Sequence, residues 1–218
     1  MRTFNISRTP YEEKQKLYKQ SSITIEEGIT VLVGCNGCGK STLLKTIKKC
    51  LEDDNTPHLS YDNLYEGTTI AKDRALMNGD INYLASAMIS SEGETIKLNL
   101  ANLARNLGYN ILNKHKKAEE FWVLLDAVDS GFSIDNVIEL KEELLKFILS
   151  NKPDTMKLYI LISANEYELV SGEQCFDVYE GKYRTFKSYN SFKNFILRSR
   201  VKRDAIEKPT RERKRRRK

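Results

Sequence analysis

The sequence predicts an α/β fold with a mainly parallel central sheet, an antiparallel N-terminal annex and a small helical subdomain. Three observations carry this. A continuous apolar strand, 29–33, runs into a glycine-rich turn and then a helix with Leu43, Leu44, Ile47 and Leu51 at helical spacing. Two further apolar runs, 121–126 and 157–163, are separated by a helix-period segment, as buried parallel strands are. Ahead of residue 29 the strands are short and alternating, which suits an antiparallel pair.

Taken in order, residues 2–8 form a short strand that Thr9-Pro10 breaks. A charged insert at 11–19 leads to a second strand near 22–26, and Gly28 turns the chain into the 29–33 strand. The helix behind the glycine-rich turn stops at 52–55, with Pro57 after it. His58–Tyr61 reads as a brief strand and 62–67 as a loop. Met77, Ile81, Leu84 and Met88 share one helical face, and Ser90–Glu94 interrupts the pattern. Ile96, Leu100, Leu103 and Leu107 resume it, with Gly108 as a C-terminal stop. A Lys- and Glu-rich connection reaches the 121–126 strand. The next helix, 134–150, is expected to turn Ile134, Val137, Ile138, Leu144, Leu145 and Ile148 inward. After the 157–163 strand come a hairpin at 175–185 and a helix from Tyr189 with Phe192, Phe195 and Ile196 on one side. This organisation gives one domain over 1–203, a helical subdomain at about 72–118 and a basic tail over 204–218.

The 218 residues suffice for one full core, and no apolar run approaches the roughly 18 residues of a membrane span. The net charge is +6, but residues 208–218 alone carry eight basic side chains and one acidic, leaving −1 for residues 1–207. That tail repels itself and has no apolar face, so it is expected to be disordered, and either to engage nucleic acid or another polyanion or to serve only as a solubilising end. The start of the chain lacks the apolar stretch of a secretory signal; the cytoplasm is the expected location, or the nucleus where the tail serves as an address. Four cysteines, at 35, 38, 50 and 175, make no disulfide framework in a chain this long. His58 and His115 stand apart, so the only metal expected is one carried by a nucleotide.

The turn itself, Gly34-Cys35-Asn36-Gly37-Cys38-Gly39-Lys40-Ser41-Thr42, matches G-x-x-x-x-G-K-[ST], the phosphate-binding loop. Its glycines let successive amides point at phosphate oxygens, and the helix N-terminus adds positive potential. Lys40 would reach the β/γ-phosphates and Ser41 would coordinate Mg²⁺. A second Mg²⁺ acid is expected at the tip of a neighbouring strand, where Asp126 stands.

The order of these pieces resembles the ABC-type ATPases and their SMC and repair-ATPase relatives, over about residues 1–170. The form Gly-x-Asn-Gly-x-Gly-Lys-Ser-Thr at 34–42 matches that family. Ser90–Glu94 resembles a degenerate signature motif, with Ser91, Gly93 and Glu94 in its roles, and residues 125–133 resemble Walker B running into the D-loop at Ser130 and Gly131. The resemblance implies ATP and Mg²⁺ as ligands and a sandwich homodimer that closes on ATP, with Ser91 donating across the interface to gate a partner protein or nucleic acid. It also implies adenine stacking on Tyr11, with Tyr18 as competitor, and a glutamine-loop region near Asp62 and Asn63. Compact domains of this kind are similar to phage-encoded ATPases.

Two positions depart from the family. Ala127 follows Asp126 where a glutamate normally polarises the attacking water, and 163–166 (Ser-Ala-Asn-Glu) replaces the switch histidine. Base assistance is worth about 10²–10⁴-fold, so hydrolysis is expected to be slow unless Asp129, or else Glu166, substitutes. A pure ATP-binding switch is the alternative. The 50 residues between Lys40 and Ser91 leave no sustained heptads for a coiled-coil arm. Two rivals share the loop. A GTPase would read guanine with Asn151–Asp154 (N-K-x-D), although helical periodicity precedes that motif. A small-molecule kinase would want an arginine-rich lid, for which only Arg74 and Arg105 offer themselves.

Overall fold

The computed structural model describes residues 1–10, 16–63, 92–130 and 132–215, with backbone alone at 92–97, 99 and 204–215. Two strands, β1 (Arg2–Asn5) and β2 (Ser22–Ile25), pair antiparallel. The main sheet holds β3 (Gly28–Val33), β4 (His58–Asp62), β5 (Glu120–Asp126), β6 (Lys157–Ser163), β7 (Gln174–Asp177) and β8 (Lys182–Arg184). Its order is β4-β5-β6-β3-β7-β8, parallel throughout except for the antiparallel β7–β8 hairpin at one edge. This is the mainly parallel sheet with antiparallel annex expected from the sequence.

Alternation along the central strands sorts their side chains onto two faces. Leu32, Trp122, Leu124, Tyr159 and Leu161 pack with Leu43, Leu44, Ile47 and Leu51 of α1 (Lys40–Asp53) and with Phe4 and Ile25 of the annex. Trp122 stacks on Tyr159 at 4.1 Å and meets Phe4 edge-on at 5.1 Å, and Arg2 ties the annex to Asp54 and Glu120. The opposite face, with Val31, Val123, Leu125 and Ile160, is covered by α2 (Glu92–Gly108), α3 (Ile134–Ile138) and α4 (Lys146–Asn151). Burial on both sides explains why β5 and β6 read as unbroken apolar runs.

Several expectations change. Gly108 does not end its helix: its φ of −56° is ordinary right-handed helix, and a π-helical turn, Tyr109–Lys114, continues to His115 and buries Ile111. Between α3 and α4 a π-helical stretch, Glu139–Leu145, keeps the segment continuous, but Ile134 and Ile138 face solvent. The inward stripe runs through Val137, Leu140, Lys141, Leu145 and Ile148. Its centre is a lysine, which an apolar pattern passes over; the Lys141 ammonium donates to the Glu168 and Ser171 carbonyls and pairs with Glu173 at 3.5 Å.

Two short elements complete the chain, α5 (Tyr167–Val170) and the long α6 (Tyr189–Arg215). The basic segment expected to be disordered is therefore helical in backbone through Arg215. Arg, Lys, Glu and Ala are good helix formers and extend a helix already nucleated at Tyr189, even with Pro209 in its path. Of the subdomain placed at 72–118, residues 72–91 lie outside the described residues, and α2 with its π-helical extension spans 92–114.

Candidate functional site

The parallel register brings the C-terminal ends of β3, β5 and β6 to one edge, with Leu32 opposite Ser163 and Leu125 opposite Ile162. Open α/β sheets place ligands at that edge. The phosphate loop leaves β3 there and enters α1 through Gly39, whose φ of 102° is left-handed. A Cβ at Gly39 would come 3.1 Å from the Tyr18 ring, so glycine is required twice over. No side chain caps α1, which leaves its first-turn amides for an anion.

Tyr18 is buried and its hydroxyl donates to the Gly39 carbonyl at 2.9 Å. It braces the loop from behind and has no face to offer a base, which removes it as competitor for the adenine stack. Tyr11 lies outside the described residues, as do Ser91 and Gly131. Gly93 and Glu94 fall in the first turn of α2. Cys35 and Cys38 are buried, their loop closed by the Cys38 N–H donating to the Cys35 carbonyl at 3.1 Å. Burial pushes the Cys38 thiol up, so it is poorly ionised.

Lys40 is buried and donates from Nζ to the Gly34 carbonyl at 2.9 Å and to Asn165 Oδ1 at 3.2 Å. The Ser41 hydroxyl donates to Asp126 Oδ1 at 3.0 Å, and Ser163 donates to the same oxygen. Ser163 Oγ in turn accepts from the Ala127 N–H at 2.9 Å. A serine hydroxyl and a carboxylate this close are the hard oxygen donors Mg²⁺ prefers, so the pair fits the ion. Ala127 sits at φ 50°, left-handed for a residue with a Cβ.

Asp129 is bonded to the backbone that follows β6. Its Oδ2 accepts the N–H groups of Asn165 at 2.5 Å and Glu166 at 2.8 Å, while Oδ1 is buried with no partner among the described residues. The carboxylate therefore fixes the turn after β6. Burial and then the Asp129 charge raise the Glu166 carboxyl above its ordinary range. Asn63, in the region matched to the glutamine loop, donates to the Ser130 carbonyl at 2.7 Å and so joins β4 to the segment after Asp126.

Asn151–Asp154 lies at the other end of the sheet. Asn151 closes α4 by donating to the Phe147 carbonyl, and Lys152 pairs with Glu27 at 3.4 Å, before the first residue of β6. These side chains cannot reach a nucleotide held at Lys40, so Asn151–Asp154 does not serve as a guanine-reading motif for the loop.

Three residues escape sequence reasoning. Asn165 stood only as the replacement for a missing histidine. Ser199 accepts from the Cys35 N–H at 3.2 Å, and the Arg203 guanidinium lies 3.4 Å from where a Cβ on Gly37 would be. One signal existed: Phe192, Ile196, Ser199 and Arg203 share a helical face, so an apolar stripe turns polar as it leaves the core.

A glycine loop at the end of a parallel strand, an in-register lysine and serine, and an acid two strands away define a P-loop nucleoside-triphosphate-binding domain. The family model described as ABC transporter matches residues 18–146, more than half of the chain, and the chain belongs to that family as an ABC-type P-loop ATPase domain that binds nucleotide. No curated protein matches it in sequence. Among the described residues no helix is long and apolar enough to cross a membrane. Asn165, Ser199 and Arg203 all lie beyond the matched segment.

Proposed function

We propose that the domain binds Mg·ATP and closes as a head-to-tail homodimer, the phosphate loop of one copy meeting Ser91, Gly93 and Glu94 of the other. Closure gates a protein partner or a nucleic acid, and hydrolysis is slow. One observation carries the slow turnover: the position after Asp126 holds a methyl group, Ala127, fixed by its N–H to Ser163.

In this reading the loop amides and Lys40 would hold the phosphates, and Ser41 and Asp126 would hold Mg²⁺, which would supply neutralising charge to the triphosphate. Tyr11 stacks on adenine. Asn165, its Oδ1 committed to Lys40, turns an amide donor toward the γ-phosphate. Asp129 acts by positioning Asn165 and Glu166, since its Oδ2 is already taken by their backbone. The compact form, whose 50 residues between Lys40 and Ser91 carry no sustained heptads, suits a single-domain ATPase similar to phage-encoded ones better than an arm-bearing SMC protein. The basic residues of 208–218 bind nucleic acid through phosphate charge.

Single-turnover hydrolysis by the purified protein and by Lys40→Ala tests this. A slow rate that Lys40→Ala abolishes supports a weak ATPase. Equal rates in both, with ATP still bound by the unmodified protein, leave the second reading, an ATP-binding switch, which the same Ala127 observation favours.

A further inference from the structure

The connection from β6 to β7 passes through α5, four residues long, a single turn too short to hold itself. One neighbouring stretch of chain, from Asp129 to Lys141, fastens it at both ends. At the front, Asp129 Oδ2 accepts the N–H groups of Asn165 and Glu166 at 2.5 and 2.8 Å. At the back, the Lys141 ammonium donates to the Glu168 carbonyl at 3.0 Å and to the Ser171 carbonyl, and pairs with Glu173 at 3.5 Å. We infer that Lys141 is a remote positioning residue: by holding α5 it sets Asn165 against Lys40, and with it the preference of the site for a triphosphate over a diphosphate. The inference rests on the proposed contact between Asn165 and the γ-phosphate.

Lys141 stands out first by its burial. It is 6 % exposed in a stripe whose other members, Val137, Leu140, Leu145 and Ile148, are apolar. A methionine there would cover the same core without desolvating an ammonium, and exchanges of that kind are often neutral for stability. The charge is therefore explained by the carbonyls it holds rather than by the core it fills. Lys141 also lies in the π-helical stretch, where it and its sequence neighbour Leu140 are both buried. Turns of this kind are rare and frequently found at functional sites. Finally, the contacts are continuous. Lys40 Nζ meets Asn165 Oδ1 at 3.2 Å, the Asn165 and Glu166 amides meet Asp129, and α5 leads to Lys141. Asn165 itself is exposed, so the backbone bonds of its segment, not side-chain packing, set where its amide stands. The same stretch that starts beside the Mg²⁺ acid Asp126 thus fixes the residue facing Lys40 from both sides.

Full-length Lys141→Met, which keeps the length and the apolar stem, separates positioning from a structural role. It is expected to weaken ATP about fivefold, within the worth of one charge-assisted hydrogen bond, and to leave ADP unchanged. Because Lys141 acts through Asn165, the double variant Asn165→Ala/Lys141→Met is expected to bind ATP no more weakly than Asn165→Ala alone. Should Lys141→Met fail to fold, amide hydrogen exchange of the unmodified protein decides. With ATP, and not with ADP, the amides of 137–145 and of 165–171 are expected to slow together. Unchanged ATP affinity, equal losses for ATP and ADP, additive losses in the double variant, or exchange that does not slow in both segments would overturn the inference. Normal ATP binding by Asn165→Ala removes the γ-phosphate contact and the role of Lys141 with it, while loss of both nucleotides in Lys40→Ala keeps the loop as the site. An unmodified protein that binds neither nucleotide overturns the loop reading itself.

Discussion

Lys40 Nζ stands 3.2 Å from Asn165 Oδ1, joining the phosphate loop to the turn after β6. With its oxygen committed to the lysine, the Asn165 side chain keeps an NH₂ group, a donor of the kind a γ-phosphate oxygen accepts. Asn165→Ala should therefore weaken ATP about tenfold, the worth of a charge-assisted hydrogen bond, and leave ADP nearly unchanged. Calorimetry with both nucleotides checks this; equal losses for ATP and ADP would assign Asn165 to the loop's structure alone.

Ala127 invites the opposite experiment. Ala127→Glu restores a carboxylate beside Asp126 and is expected to raise the hydrolysis rate by about 10²–10⁴-fold. Ala127→Gly should leave the rate where it is and stabilise the fold by up to about 1 kcal/mol, because glycine accepts φ 50° without a Cβ clash. Steady-state rates and thermal melts separate the two effects.

Tyr18 distinguishes a brace from a stacking platform. Tyr18→Phe keeps the ring and removes only the hydroxyl that donates to the Gly39 carbonyl. A stacking role would leave the variant unaltered. The brace predicts a loss of about 1 kcal/mol in unfolding free energy, measured by urea titration.

Thiol chemistry follows from burial. Burial and the nearby Glu173 push the Cys175 thiol up to about 12, so at pH 8 almost none of it is thiolate. Cys35 and Cys38 are buried as well, whereas Cys50 is half-buried. Titration with a disulfide reagent at pH 8 should modify Cys50 first, and denaturant should release the other three. Rapid reaction of Cys38 in the folded protein would contradict the packing of the loop.

The loop and Asp126 were legible because their signals are local. A strand, a fixed run of nine residues and a helical period sit side by side in the sequence, and an apolar run ending in an acid names its own tip. Asn165, Ser199 and Arg203 were not, because topology alone brings them there. Asn165 arrives through β6 being laid between β3 and β5, and α6 returns from beyond the β7–β8 hairpin to touch Gly37. The misplaced face at Ile134 and Ile138 has a different cause. A buried lysine sits at the centre of the true stripe, and only the carbonyls of Glu168 and Ser171, supplied by another element, make that burial affordable. Gly108 shows the limit of residue-type rules, since glycine ends a helix only when the chain uses its left-handed conformation.

The central claim, an ATP site that closes in pairs and opens slowly, is tested most directly by sedimentation of the protein with Mg·ATP. The expected result is a dimer that forms with ATP, persists until the slow hydrolysis runs down, and is absent in Lys40→Ala. A protein that stays monomeric at saturating ATP, or one that dimerises equally well with Lys40→Ala, would contradict it.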